Sequence, residues 1–119
     1  MGSRTNYDGE IAITPALTWA QIRQLPKFDH LEMALVKKSA DTEQGQIVVI
    51  TCAAVRPRID TDSYRVELEL ERLVDALPGG HEFSGHIDCQ GEEPGDLTRL
   101  VVSDGAVCRI SPIITWPEA

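Results

Sequence analysis

The stretch Ser63-Tyr64-Arg65-Val66-Glu67-Leu68-Glu69-Leu70-Glu71-Arg72-Leu73-Val74-Asp75-Ala76-Leu77 decides the fold, because its first half satisfies two periods at once. Tyr64, Val66, Leu68 and Leu70 alternate with charged residues, which is the two-residue repeat of a strand. Val66, Leu70, Leu73, Val74 and Leu77 recur at i, i+4, i+7, i+8 and i+11, which is a helical stripe. The helix wins, since Leu73-Val74 and Leu77 continue only that period, and it puts Glu67 and Glu71 on the solvent side. Asp60-Thr61-Asp62-Ser63 offers capping residues ahead of it, and Pro78-Gly79-Gly80 ends it.

Downstream of this helix the pattern changes to strands. From His81 to Gln90, Phe83, Gly85, Ile87 and Cys89 alternate with Glu82, Ser84, His86, Asp88 and Gln90, giving one core face and one wet face. An acidic turn, Gly91-Glu92-Glu93-Pro94-Gly95-Asp96, follows. Leu97 to Val102 and Ala106 to Ile110 then flank Asp104-Gly105, a strong hairpin signal. A two-residue turn there sets Val102 against Val107 and Val101 against Cys108, and Ile113 to Trp116 reads as a last edge segment.

Upstream, Tyr7, Ile11 and Ile13 alternate with Asp8 and Glu10 as a strand that Pro15 should end. Thr18-Trp19-Ala20-Gln21 is a capping box, with Leu17 and Ile22 placed as a hydrophobic staple. It predicts a short helix from Trp19 to about Leu25, stopped by Pro26, with Trp19 as its packing anchor. Leu31 to Val36 and Gln46 to Val55 read as a hairpin whose polar connection, Lys37 to Gly45, forms a flexible tip. Ile47-Val48-Val49-Ile50 lacks polar alternation, so both of its faces should be covered in a central strand. The order is β-α-β-β-α-β-β-β. That is an α+β fold, a two-layer sandwich of a mostly antiparallel sheet of about six strands and two helices. It occupies a single domain over residues 1–119, with residues 1–6 as a flexible N-terminus. Two short helices leave part of such a sheet uncovered, which favours a homodimer.

Composition narrows the function. Eleven Lys and Arg against nineteen Asp and Glu give a net charge of −8, which disfavours direct contact with nucleic acid or anionic membrane. The charge is uneven: residues 60–96 hold eleven acids and two bases, whereas residues 1–59 hold six acids and seven bases. No apolar run reaches the ~18–20 residues of a membrane span, and no leader-like stretch opens the chain, so a cytoplasmic protein is expected. Cys52, Cys89 and Cys108 form no C-x-x-C pair and sit in apolar runs, as reduced core residues would.

Motifs for catalysis are weak. Ser84, His86 and Asp88 are the residue types of a hydrolase triad, but neighbours two apart on a strand stand ~6.5–7 Å apart at the backbone, too far for a relay. Asp88, Glu92, Glu93 and Asp96 supply oxygen ligands without the order of a calcium loop. His30, His81 and His86 lack zinc spacing. No phosphate-cradling glycine motif occurs. The expectation is no catalytic residues, no metal and no cofactor.

Three motif groups carry a resemblance: Gly9-Glu10-Ile11-x-Ile13-Thr14-Pro15-x-Leu17-Thr18-Trp19-x-x-Ile22-Arg23, His81-Glu82-Phe83-x-Gly85, and Gly91-Glu92-Glu93-x-Gly95-Asp96-Leu97 through Asp104-Gly105 to Trp116-Pro117. With them the chain resembles a family of small uncharacterised proteins of actinobacteria and their phages, over most of its length except 27–64. The resemblance implies no catalytic residues and suggests an accessory protein of a phage or mobile element. The leading expectation is a non-enzymatic binding or regulatory protein that engages a basic host protein through Glu67, Glu71, Glu92, Glu93 and Asp96. The alternative is a small-ligand protein whose dimer cleft holds a nucleotide or other anion on Arg99 and Arg109.

Overall fold

A computed structural model describes residues 6–58, 63–77, 79–91 and 96–112. The elements are β1 (Asn6–Thr18), α1 (Trp19–Gln24), β2 (Leu31–Thr42), β3 (Gly45–Pro57), α2 (Ser63–Ala76), β4 (Glu82–Gln90), β5 (Leu97–Ser103) and β6 (Ala106–Ile110). All six strands join one antiparallel sheet in the order β2-β3-β1-β4-β5-β6, so the α+β architecture and the element order stand as expected. β1 already begins at Asn6, paired with Gln90. The segment Ile113 to Trp116 and the capping residues Asp60 to Asp62 lie outside the described residues.

The ambiguous stretch is helical because one stripe of it meets the sheet. Val66, Leu70 and Leu73 are fully buried against Ile11, Val55, Ile87 and Leu100, which come from four different strands. At ~25 cal/mol per Å² of apolar surface removed from water, this shared face dominates the stability of the body. A strand would have pointed only alternate residues at the core and left Leu73 or Val74 outside.

Several segments depart from their local pattern. Pro15 does not end β1, which continues to Thr18. The ladder to β3 jumps from Ala12–Ala54 to Leu17–Cys52, so Pro15 sits in a bulge where no ladder donor is required. The bulge is held by His81: its Nδ1 lies 2.9 Å from the Pro15 carbonyl oxygen, and its Nε2 lies 3.1 Å from Gln21 Nε2. The amide nitrogen of Gln21 is the donor to Nε2, and the Pro15 carbonyl oxygen is the acceptor facing Nδ1. Gln21 also completes the expected capping box, accepting from Thr18 N–H and setting its own N–H on Thr18 Oγ1.

Trp19, expected as a packing anchor, is 46 % exposed; Leu17 and Ile22 hold α1 instead. The Lys37 to Gly45 tip is not a loop. β2 and β3 remain paired out to Thr42 and Gly45, closing on Glu43-Gln44. Ile47, Val48 and Val49 are 53, 52 and 51 % exposed rather than covered, since β1 pairs with β3 no further than Thr51. At the other end of the sheet the expected registers, Val102 with Val107 and Val101 with Cys108, are present. Asp104 and Gly105 both have positive φ, 51° and 76°, the conformation of the turn that matches a hairpin's twist.

Candidate functional site

The residues singled out for function fall into separate groups. Glu67 was expected in solvent, but α2 places it beside β6. One of its carboxylate oxygens accepts from Arg109 Nε at 3.0 Å and Nη2 at 2.7 Å. Glu71 and Asp75 follow at i+4 and i+8 on the same helix face and are exposed. They wall an open groove of about 210 Å³ whose other side is Gly105, Ala106 and Val107 of the β5–β6 turn. Neither carboxylate has an ion-pair partner among the described residues. Asp96 stands at the far end of β5 from that turn, where its carbonyl accepts from Gly91 N–H. Seven strand residues separate the two ends, so the acidic set is divided rather than gathered. Glu92 and Glu93 lie outside the described residues.

The groove is more negative than its two side chains alone. It borders the C-terminal half of α2, whose last turn carries no basic residue. The unsatisfied carbonyls of a helix C-terminus act as a partial negative charge, which normally attracts Lys or Arg there. Asp75 instead adds a carboxylate to that end. Sequence reasoning missed Asp75, although its spacing of four from Glu71 marked it.

The two arginines of the anion-binding reading are both engaged. Arg99 makes a fork with Asp88, Nε to Oδ1 at 2.7 Å and Nη2 to Oδ2 at 3.1 Å. Asp88 pairs in register with Asp8 on β1, a like-charge arrangement that Arg99 relieves. His86 Nε2 also lies 3.6 Å from Asp88 Oδ2. Contrary to the spacing argument, these two side chains do meet, because their lengths close the backbone separation. The Arg99 hydrogen bonds hold the Asp88 carboxyl below its ordinary value. Each Asp88 oxygen thus accepts one Arg99 hydrogen bond, and Oδ2 also faces His86. A cavity of about 280 Å³ adjoins Arg99, lined by Asp88, Leu97, Thr98, Ile110 and Pro112. The Arg99 guanidinium at its wall is already paired with Asp88.

One titratable group is buried where no sequence signal pointed to it. Glu69, 6 % exposed, accepts from the backbone N–H groups of Asp29, His30 and Leu31 at 2.8–3.2 Å. It pins α2 to the start of β2. Cys52 and Cys89 are buried as expected, while Cys108 is half-buried on the β5–β6 hairpin. No group of three or more His, Cys, Asp or Glu that could hold a metal ion occurs among the described residues.

Fold and site together define a small α+β protein with one open antiparallel sheet and an acidic groove on its longer helix. The chain belongs to a family of unknown function, DUF6205, which matches it over residues 1–119. No curated protein matches it, and no solved structure does.

Proposed function

We propose that this is a non-enzymatic binding protein whose α2 groove takes a Lys or Arg side chain from a basic surface of another protein. One observation carries the reading: Glu71 and Asp75 stand exposed on the C-terminal half of α2, Asp75 in its last turn, in a groove the size of a side chain. Partners that offer a cation there gain from both carboxylates and from the helix carbonyls. Glu67 contributes little to the groove, since Arg109 already pairs with it. An accessory role in a phage or mobile element of an actinobacterium, blocking a cytoplasmic protein that handles nucleic acid, fits a carboxylate surface that stands where phosphates would.

The anion-binding reading is weaker, because Arg99 and Arg109 are each committed to a carboxylate. The two are separated by comparing baits. Wild type, Glu71→Lys/Asp75→Lys and Arg99→Ala are each immobilised, exposed to an actinobacterial lysate, and eluted with a salt gradient. A basic protein retained by wild type and Arg99→Ala, released at moderate salt and lost with the double variant, supports the groove. Identical retention by all three baits overturns it.

A further inference from the structure

Beyond the ladder joining β1 to β3, and past α1, whose Trp19 shares a cavity with Val48, Val49 and Ile50, the β2–β3 hairpin leaves the body as a two-stranded arm. Every residue from Leu35 to Val49 is exposed. The molecule extends 69 Å along its longest axis against 33 and 29 Å along the others. Its radius of gyration is 17.3 Å, above the roughly 13.5 Å of a compact chain of this length. An isolated two-stranded ribbon is marginal in water, and this one exposes three consecutive large apolar residues at 47–49.

The outer edge of β2 indicates what completes it. Among the described residues no strand lies beyond β2 in the sheet. Its unpaired backbone groups are therefore a template for another strand. Lysines on an edge normally repel such a strand. Here Lys37 is four residues from Asp41, so one antiparallel register converts repulsion into attraction.

We propose that two copies of this chain pair antiparallel along β2, about a two-fold axis at Ser39. Lys37 of each copy then faces Asp41 of the other, and Ser39 meets its own counterpart. Within one chain Lys37 is opposite Ile50 and Asp41 opposite Gln46, so neither charge faces an opposite one across its own hairpin. The second copy supplies it. Two marginal ribbons become one of four strands. Ala40 of one copy and Lys38 of the other also bring Ile47 and Val49 from the two chains into one row, with the lysine stem covering the seam. The contact is isologous and uses the same edge in both copies, so it closes at two. The α2 groove takes no part, and the proposal stands or falls apart from it.

Sedimentation equilibrium of the full chain is the test. Wild type is expected to be a dimer. Lys37→Asp and Asp41→Lys should each weaken it about tenfold or more, as two symmetry-related rows become like-charged. The double variant Lys37→Asp/Asp41→Lys restores opposite charges in both rows and should return dimerisation to within about threefold of wild type. Ser39→Cys should link to its own counterpart through a short thiol-reactive bridge, mapped to position 39 by peptide mass. A monomeric wild type, a dimer indifferent to the single reversals, or absence of the position-39 link would overturn the proposal. So would a double variant with wild-type circular dichroism that fails to recover the dimer.

Discussion

Glu69 shows how much a single residue decides. Its neighbours in the sequence, Glu67 and Glu71, face β6 or solvent, yet Glu69 is buried under three backbone N–H donors. Hydrogen bonds to a charged acceptor contribute about 1.5–3 kcal/mol each to the group that makes them. Glu69→Gln keeps the shape but turns an amide N–H₂ toward those donors. We expect it to destabilise the fold by about 2–3 kcal/mol in urea denaturation, with Glu71→Gln near zero. The three cysteines offer a second check at this scale. Burial pushes the Cys89 thiol up to about 11 and raises Cys52 as well. In native protein near pH 8 a thiol reagent should therefore modify Cys108 first, and Cys52 and Cys89 only on unfolding. A folded pKa above the unfolded one means stability present below the unfolded value. For Cys89 it is lost as pH rises from there toward about 11. Asp88 runs the other way. Arg99 depresses its carboxyl, so that contribution is present above the ordinary carboxylate value and fades as pH falls through the lowered one. An NMR titration of Arg99→Ala should show the Asp88 carboxyl moving back up; an unmoved midpoint would refute the assigned cause.

Among the elements, the pairing of β1 with β4 depends on close backbone approach. Gly9, opposite Ile87 in the ladder, has a φ of 99°, and a Cβ there would collide with the His86 carbonyl oxygen. Gly9→Ala must therefore both adopt a disfavoured φ and push the strands apart. A loss of at least about 2 kcal/mol in thermal or urea unfolding is expected. Helical and hairpin elements with local signals are legible in the sequence. The α1 capping box depends on residues three apart, and the Asp104-Gly105 turn on two adjacent ones, so their geometry is written in short range. The β1 bulge is not. Pro15 reads locally as a strand end, and contacts distant in sequence, the Leu17–Cys52 and Thr18–Thr51 pairs and His81 on the Pro15 carbonyl, keep the chain in the sheet beyond it.

At the scale of the whole molecule, the body and the arm follow different rules. The core lies between α2 and the sheet, where Ile11, Leu17, Leu31, Val55, Leu70 and Leu100 are all but closed to solvent. The arm adds length without adding to that core. Ile47→Ser/Val49→Ser should accordingly change the unfolding free energy of dilute protein by less than about 1 kcal/mol. The same substitutions made as Val55→Ser and Leu70→Ser should cost about 3 kcal/mol or more each. A comparable loss from the arm variants would mean that the apolar run 47–50 is covered within one chain. That run misleads because hydrophobicity reports a demand for cover and not what supplies it. The anion and docking readings met the same limit. Composition placed the acidic excess within residues 60–96, but only the packing of α2 on β6 engaged Glu67 with Arg109 and left Glu71 and Asp75 open.

Periodicity, turn chemistry and charge act between residues close in the chain, and by themselves they set the eight elements, their order and the α+β class. Strand order, the burial of Glu69, the pairing of both arginines and the reach of the β2–β3 arm arose only in the folded molecule. The first three depend on contacts between residues more than ten apart, and the reach of the arm on where the β1–β3 ladder stops. Such contacts form only when the loss of chain entropy is offset by the core as a whole.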